Sequence, residues 1–150
     1  MMFRCADIQS TFLDGEGTSI AIYFQGCTVG CNGCQNKGLQ DIKGGYLEST
    51  DVIAKIINDN KDFYDSVVFT GGDPLDQVDA LVEIAKNVDL KKVLYTGRYF
   101  DDIPQEVRDN VDRIIDGPYI EDIAMPGRFP VSPNQRIWEK DEHGNWNVIG

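Results

Sequence analysis

The chain has 150 residues, with 14 basic against 25 acidic side chains and a net charge of -11. A surface of that sign repels a phosphate backbone and argues against direct nucleic-acid binding. No apolar run approaches the length of a membrane span, and Met1-Met2-Phe3-Arg4-Cys5 lacks the apolar core of a secretory signal. A cytoplasmic protein is therefore expected, in a compartment where thiols stay reduced and clustered cysteines serve metals or clusters. The length predicts one domain over residues 1–150, too short for a closed eight-stranded β/α barrel of about 250 residues.

Residues 8–13 lead into Asp14-Gly15-Glu16-Gly17, whose glycines permit a turn. Ile20-Ala21-Ile22-Tyr23-Phe24 is a short apolar run bounded by glycines and predicts a buried strand. It runs straight into Cys27-Thr28-Val29-Gly30-Cys31-Asn32-Gly33-Cys34, three cysteines spaced C-x-x-x-C-x-x-C with no fourth close behind. A structural zinc site takes four protein ligands and a disulfide an even count, whereas an iron–sulfur cluster on three thiolates keeps one iron open for chemistry. Two other readings stay open: a zinc site completed by Cys5 or His143, and thiols that only pack. Six glycines between residues 26 and 45 predict irregular backbone around a bulky group, with Gly33 letting the chain approach the cluster or its ligand.

Further on, Thr50 as N-cap, Asp51 and the apolar Val52, Ile53, Ile56 and Ile57 predict a helix near residues 51–60. The strand Ser66-Val67-Val68-Phe69-Thr70 ends in Gly71-Gly72-Asp73-Pro74, and Leu81, Val82, Ile84, Ala85 and Val88 mark the next helix. Val93-Leu94-Tyr95-Thr96 closes at Gly97. A short helix around Glu106, Val107 and Arg108 then precedes the strand Arg113-Ile114-Ile115. Strands alternating with helices imply parallel pairing, with ligands at the carboxyl ends of the strands. Those ends are the cysteine loop, residues 71–74, Thr96-Gly97 and Asp116-Gly117. An irregular tail follows Pro118, and Ile137-Trp138 with Trp146-Asn147-Val148 predict a closing hairpin whose turn holds a solvated His143.

The cysteine spacing resembles that of the radical S-adenosylmethionine enzymes. With Thr70-Gly71-Gly72-Asp73-Pro74-Leu75, Tyr95-Thr96-Gly97, Asp116-Gly117-Pro118-Tyr119 and Ser132-Pro133-Asn134-Gln135-Arg136, the chain resembles the activating proteins of anaerobic ribonucleoside-triphosphate reductase along nearly its whole length. Two departures are Gln35, where members often carry Tyr or His, and Pro130-Val131, where they often carry Arg-Gly.

The resemblance implies an α/β fold, an incomplete β/α barrel with mostly parallel strands. It implies a 4Fe-4S cluster on Cys27, Cys31 and Cys34, whose open iron takes the methionine part of S-adenosyl-L-methionine. It further implies cofactor contacts from Gly33, Cys34, Gln35, Gly71, Gly72 and Asp73, with backbone carbonyls and the acidic side chain receiving the ammonium group. Without side chains, Gly71 and Gly72 let that backbone come close. The alternative for this stretch is a tight turn in which Asp73 caps the next helix. Asp116-Gly117 and Asn134-Gln135 fit either a ligand or partner contact, or loop chemistry.

The implied activity is an oxidoreductase that splits S-adenosylmethionine by one electron and moves the radical to a glycine of the reductase. The implied partners are that glycyl-radical subunit and a low-potential electron donor such as flavodoxin, with no membrane. The reductase is expected to cover the open side of the barrel, and residues 119–136 are expected to supply part of the docking surface. Competing readings are another small radical enzyme such as 7-carboxy-7-deazaguanine synthase, suggested by Gly15-Glu16-Gly17, an iron–sulfur electron carrier, and a zinc-stabilised interaction domain.

Overall fold

The computed structural model describes residues 1–11, 17–26, 44–118, 120, 123 and 133–149. The expectations for the cysteine loop, for most of the Asp14-Gly15-Glu16-Gly17 turn and for most of residues 119–132 lie outside the described residues. The strands are β1 (Met2–Thr11), β2 (Ser19–Phe24), β3 (Tyr46–Ser49), β4 (Ser66–Gly71), β5 (Lys91–Tyr95), β6 (Arg113–Asp116), β7 (Arg136–Lys140) and β8 (Trp146–Val148). The helices are α1 (Thr50–Asp59), α2 (Val78–Asn87) and the single turn α3 (Gln105–Arg108).

All eight described strands form one sheet in the order β3-β1-β2-β4-β5-β6-β7-β8. The four central strands β2, β4, β5 and β6 pair in parallel, and antiparallel strands extend the sheet at both sides. The parallel pairing follows the alternation of strands and helices, and the architecture is the incomplete β/α barrel that the resemblance implied, bounded by β3 and β8. The parallel strands are short apolar runs because both of their faces are buried.

The described helices cover one face only. Ile53 and Ile57 of α1, Leu81 and Ile84 of α2 and Val107 of α3 pack with Ile22, Phe24, Phe69, Leu94 and Ile114 of the strands in one cluster. The opposite face holds a second cluster of Ala21, Val68, Val93 and Ile115, and no described helix contributes to it. Strand register layers this second face. At the amino ends of the parallel strands, Ser19 bonds Ser66 at 2.7 Å, and Glu139 bridges Lys91 at 2.7 Å and Arg113 at 2.6 Å. Above that polar floor lie the small apolar side chains, and above those Tyr23, Thr70 and Tyr95 at the carboxyl ends.

Two elements depart from the sequence expectation. Ser49, not Thr50, caps α1, its hydroxyl accepting from the Val52 amide, while Thr50 opens the helix as a buried residue. Residues 2–11 form a full strand with a bulge between Cys5 and Asp7, where Ala6 has no partner opposite. The extra residue turns Phe3 and Cys5 toward the helices and Asp7 and Gln9 toward the other face.

Candidate functional site

The site is built on the carboxyl ends of the parallel strands, where the loops are joined in sequence order by hydrogen bonds. β2 ends at Phe24, whose carbonyl accepts from the Gly72 amide at 2.8 Å. Two residues on, the Gly26 carbonyl accepts from the Asp73 amide at 2.8 Å. The last described residue before Cys27 is thus tied to the Gly71-Gly72-Asp73-Pro74 loop. Gly71 has a φ of 112°, and a Cβ there would run into the backbone nitrogen and oxygen of Phe24. Only glycine lets β4 lie this close to the end of β2.

Asp73 carries the rim onward. Its carboxylate is fully buried and accepts from the Leu75 amide at 2.9 Å, the Gly97 amide at 3.0 Å and the Thr96 hydroxyl at 3.0 and 3.1 Å. It thereby caps the single turn Pro74–Gln77 and pins β5's exit loop. Burial pushes the carboxyl above its ordinary value, against the opposing pull of the Leu75 and Gly97 amides, the Arg98 charge and Thr96. Arg98 lies over this loop, 2.5 Å from Asp76 and 3.8 Å from Asp73.

From β5 the rim continues to β6 and β7. The Thr96 amide donates to the Ile115 carbonyl at 3.1 Å, and the Gly117 amide to the Arg98 carbonyl at 2.9 Å. Asp116 is fully buried and gathers the Phe100 amide at 2.8 Å, Trp138 Nε1 at 3.1 Å and Arg136, whose backbone amide lies at 3.1 Å and Nη2 at 2.7 Å. The Asn134 side chain donates to the Pro118 carbonyl at 2.9 Å, and that of Gln135 to the Gly117 carbonyl at 3.1 Å. Asp116, Asn134 and Gln135 thus hold the exit of β6 and the entry of β7 together.

Of the predicted site residues, Gly71, Gly72 and Asp73 are thus brought to one rim with the departure point of the cysteine segment. Gly33, Cys34, Gln35, Cys27 and Cys31 lie outside the described residues. Of the two candidates for a fourth metal ligand, Cys5 lies beneath the rim, paired with Phe24, and His143 at the far end of the sheet. Cys5 is buried on the helix-covered face with its Sγ 3.6 Å from the Asp7 carbonyl, and burial pushes its thiol up. His143 is exposed in the β7–β8 turn, at the amino ends of the parallel strands. Sequence reasoning missed Gln77 and Arg98, because their partners are main-chain or side-chain groups far away in the chain.

The family described as "4Fe-4S single cluster domain" matches residues 13–138. The chain is 31% identical over 144 residues to the anaerobic ribonucleoside-triphosphate reductase-activating protein of Enterobacteria phage T4, covering 90% of this chain and 92% of that protein. It is 31% identical over 127 residues to the protein of that name from Haemophilus influenzae, covering 76% of this chain and 82% of that one. Among solved structures, QueE from Escherichia coli superposes with a TM-score of 0.58 at 20% identity, over 81% of this chain and 61% of the QueE chain, a likeness of fold. Partial barrel, glycine rim and single-cluster match define a radical S-adenosylmethionine oxidoreductase. Within that class, the chain belongs to the family of anaerobic ribonucleoside-triphosphate reductase-activating proteins.

Proposed function

We propose that this chain, as one domain over residues 1–150, activates an anaerobic ribonucleoside-triphosphate reductase by placing a radical on one of its glycines. The observation that carries the reading is the bond from the Asp73 amide to the Gly26 carbonyl, which ties the residue before Cys27 to the glycine loop at the carboxyl ends of the parallel strands. The donor set suits the cofactor: three closely spaced thiols are soft ligands that select an iron–sulfur cluster, and they leave it one ligand short. Cys27, Cys31 and Cys34 would hold a 4Fe-4S cluster. When bound, the cluster supplies the electron that splits the sulfonium of S-adenosyl-L-methionine.

This chain's own residues then bind, orient and exclude water. Gly33, Cys34, Gln35, Gly71, Gly72 and Asp73 are the contacts assigned to the cofactor. Asp73 also shapes the loop backbone from beneath, its oxygens accepting from Leu75, Thr96 and Gly97. The second face of the sheet, dry and lined by Ala21, Val68, Val93 and Ile115, forms the wall behind the reaction. Glycine is the apt acceptor on the partner because no side chain shields its α-carbon. The electron comes from a low-potential donor such as a flavodoxin, and the cytoplasm is the proposed setting. No described helix is long and apolar enough to cross a membrane.

The test mixes reduced protein, S-adenosylmethionine and the candidate reductase without oxygen and records electron paramagnetic resonance. A glycyl doublet that needs all three supports the assignment. Cleavage of S-adenosylmethionine to a small-molecule product with no protein radical would sink it and favour a deazaguanine-synthase type of enzyme. Zinc in place of iron and sulfide on anaerobically purified protein would favour an interaction domain.

A further inference from the structure

The Gln77 side chain reaches 73 residues back in sequence to the first strand. Its Oε1 accepts from the Arg4 amide at 2.8 Å, while its Nε2 donates to the Arg4 carbonyl at 2.8 Å and to the Gln25 carbonyl at 3.0 Å. The Gln25 amide itself donates to the Arg4 carbonyl at 3.1 Å. One amide side chain therefore bridges β1 and β2 just past Cys5 and Phe24, the last pair of their ladder, as a further strand would. Gln77 also closes the turn that Asp73 caps, so it stands on the same rigid piece as Gly72.

The far end of the cysteine segment returns to the same place. Gly45 has a φ of 67°, and a Cβ there would run into the Cys5 carbonyl and lie 3.0 Å from the Gln25 Cβ. Tyr46, next in the chain, pairs with Cys5 in the β1–β3 register. Departure at Gln25 and Gly26 and return at Gly45 thus both rest on Arg4 and Cys5, and Gln77 fastens that spot to the glycine loop.

We propose that Gln77 is a positioning residue that sets the cysteine segment relative to the Gly71-Gly72-Asp73-Pro74 loop, and through it the fit of S-adenosylmethionine between them. The proposal rests on the cluster reading above, but its first readout does not need the cluster. Gln77→Met keeps the reach of the side chain and removes all three bonds. Gln77→Glu keeps the acceptor for the Arg4 amide and removes both donated bonds.

The measurements use the full chain, prepared anaerobically. In Gln77→Met, amide hydrogen exchange at Arg4, Gln25 and Asp73 should rise about tenfold or more, the effect of about one net hydrogen bond. Exchange at residues 66–69 should stay unchanged. With iron and sulfide content equal to wild type, the shift in the reduced-cluster resonance caused by S-adenosylmethionine should require about tenfold more of it, in both variants. Gln77→Glu should keep the Arg4 amide protected while Gln25 loosens. Exchange that rises equally at residues 66–69 would make Gln77 a general stability residue and overturn the proposal. An unchanged S-adenosylmethionine titration in either variant would overturn it too. Wild-type protein that takes up no iron and sulfide would overturn the cluster reading instead, and the exchange pattern alone would then decide whether Gln77 couples the two loops.

Discussion

Asp73 places a carboxylate where no water reaches, and three protein donors answer it. Asp73→Asn keeps the shape but turns an amide N–H toward those donors, and is expected to cost about 1–3 kcal/mol. Because burial raises the folded carboxyl above its ordinary value, the folded state holds the proton more tightly than the unfolded one. The stability this group contributes is complete below the ordinary carboxylate range and is lost as pH rises through the folded value. The gap between wild type and Asp73→Asn should therefore narrow from pH 4 to pH 7 in urea unfolding.

The two glycines before Asp73 should respond differently. Gly71→Ala meets the Phe24 backbone at a positive φ and should cost at least about 1–3 kcal/mol of stability from backbone strain. Gly72→Ala is expected to weaken S-adenosylmethionine binding in calorimetry while the cluster absorbance stays unchanged, and equal losses would assign that glycine to folding. Cys27→Ala, Cys31→Ala and Cys34→Ala should each abolish the iron–sulfur spectrum. Cys5→Ala should leave it intact, since that thiol faces the helices.

At the level of elements, the closing hairpin β7–β8 is held by one buried carboxylate and an aromatic stack. Phe100 lies between Trp138, stacked at 4.1 Å, and Trp146, edge-on at 5.7 Å, while Asp116 binds Arg136 and Trp138 from beneath. Asp116→Ala strands the Phe100 amide and the Trp138 N–H and is expected to cost about 3 kcal/mol, with loss of the near-ultraviolet tryptophan signal. The hairpin was legible in the sequence because two tryptophan-bearing runs flank a glycine turn, and the parallel strands were legible as apolar runs ending in glycine. β1 was not: the bulge at Ala6 shifts its alternation by one, so Phe3 and Cys5 fall out of phase with Ile8. β3 has four residues, none of them buried, and offers no pattern to read. At the rim, the loops could be placed from strand ends alone. Their fastening could not, because Asp73 finds Thr96 across 23 positions and Gln77 finds Arg4 across 73.

For the whole molecule, the net charge of -11 works against compactness. Raising ionic strength from about 0.01 M to about 0.15 M shortens the screening length from about 30 Å to about 8 Å and should raise the melting midpoint. A midpoint that falls would mean that attractive pairs such as Lys55–Asp59 and Lys61–Asp89 outweigh the repulsion. The common footing of the cysteine segment's two ends on Arg4 and Cys5 has a further consequence, for repair. Closing a loop carries an entropy cost that grows only slowly with its length, and here strand pairing on β1 holds the two ends together. In a zinc finger the metal is the fold, and chelation unfolds the chain. Here, stripping the iron with a chelator or with air should leave the far-ultraviolet circular dichroism unchanged, and added iron and sulfide should refill the site without a refolding lag. A cofactor destroyed by oxygen then becomes a replaceable part on a standing scaffold.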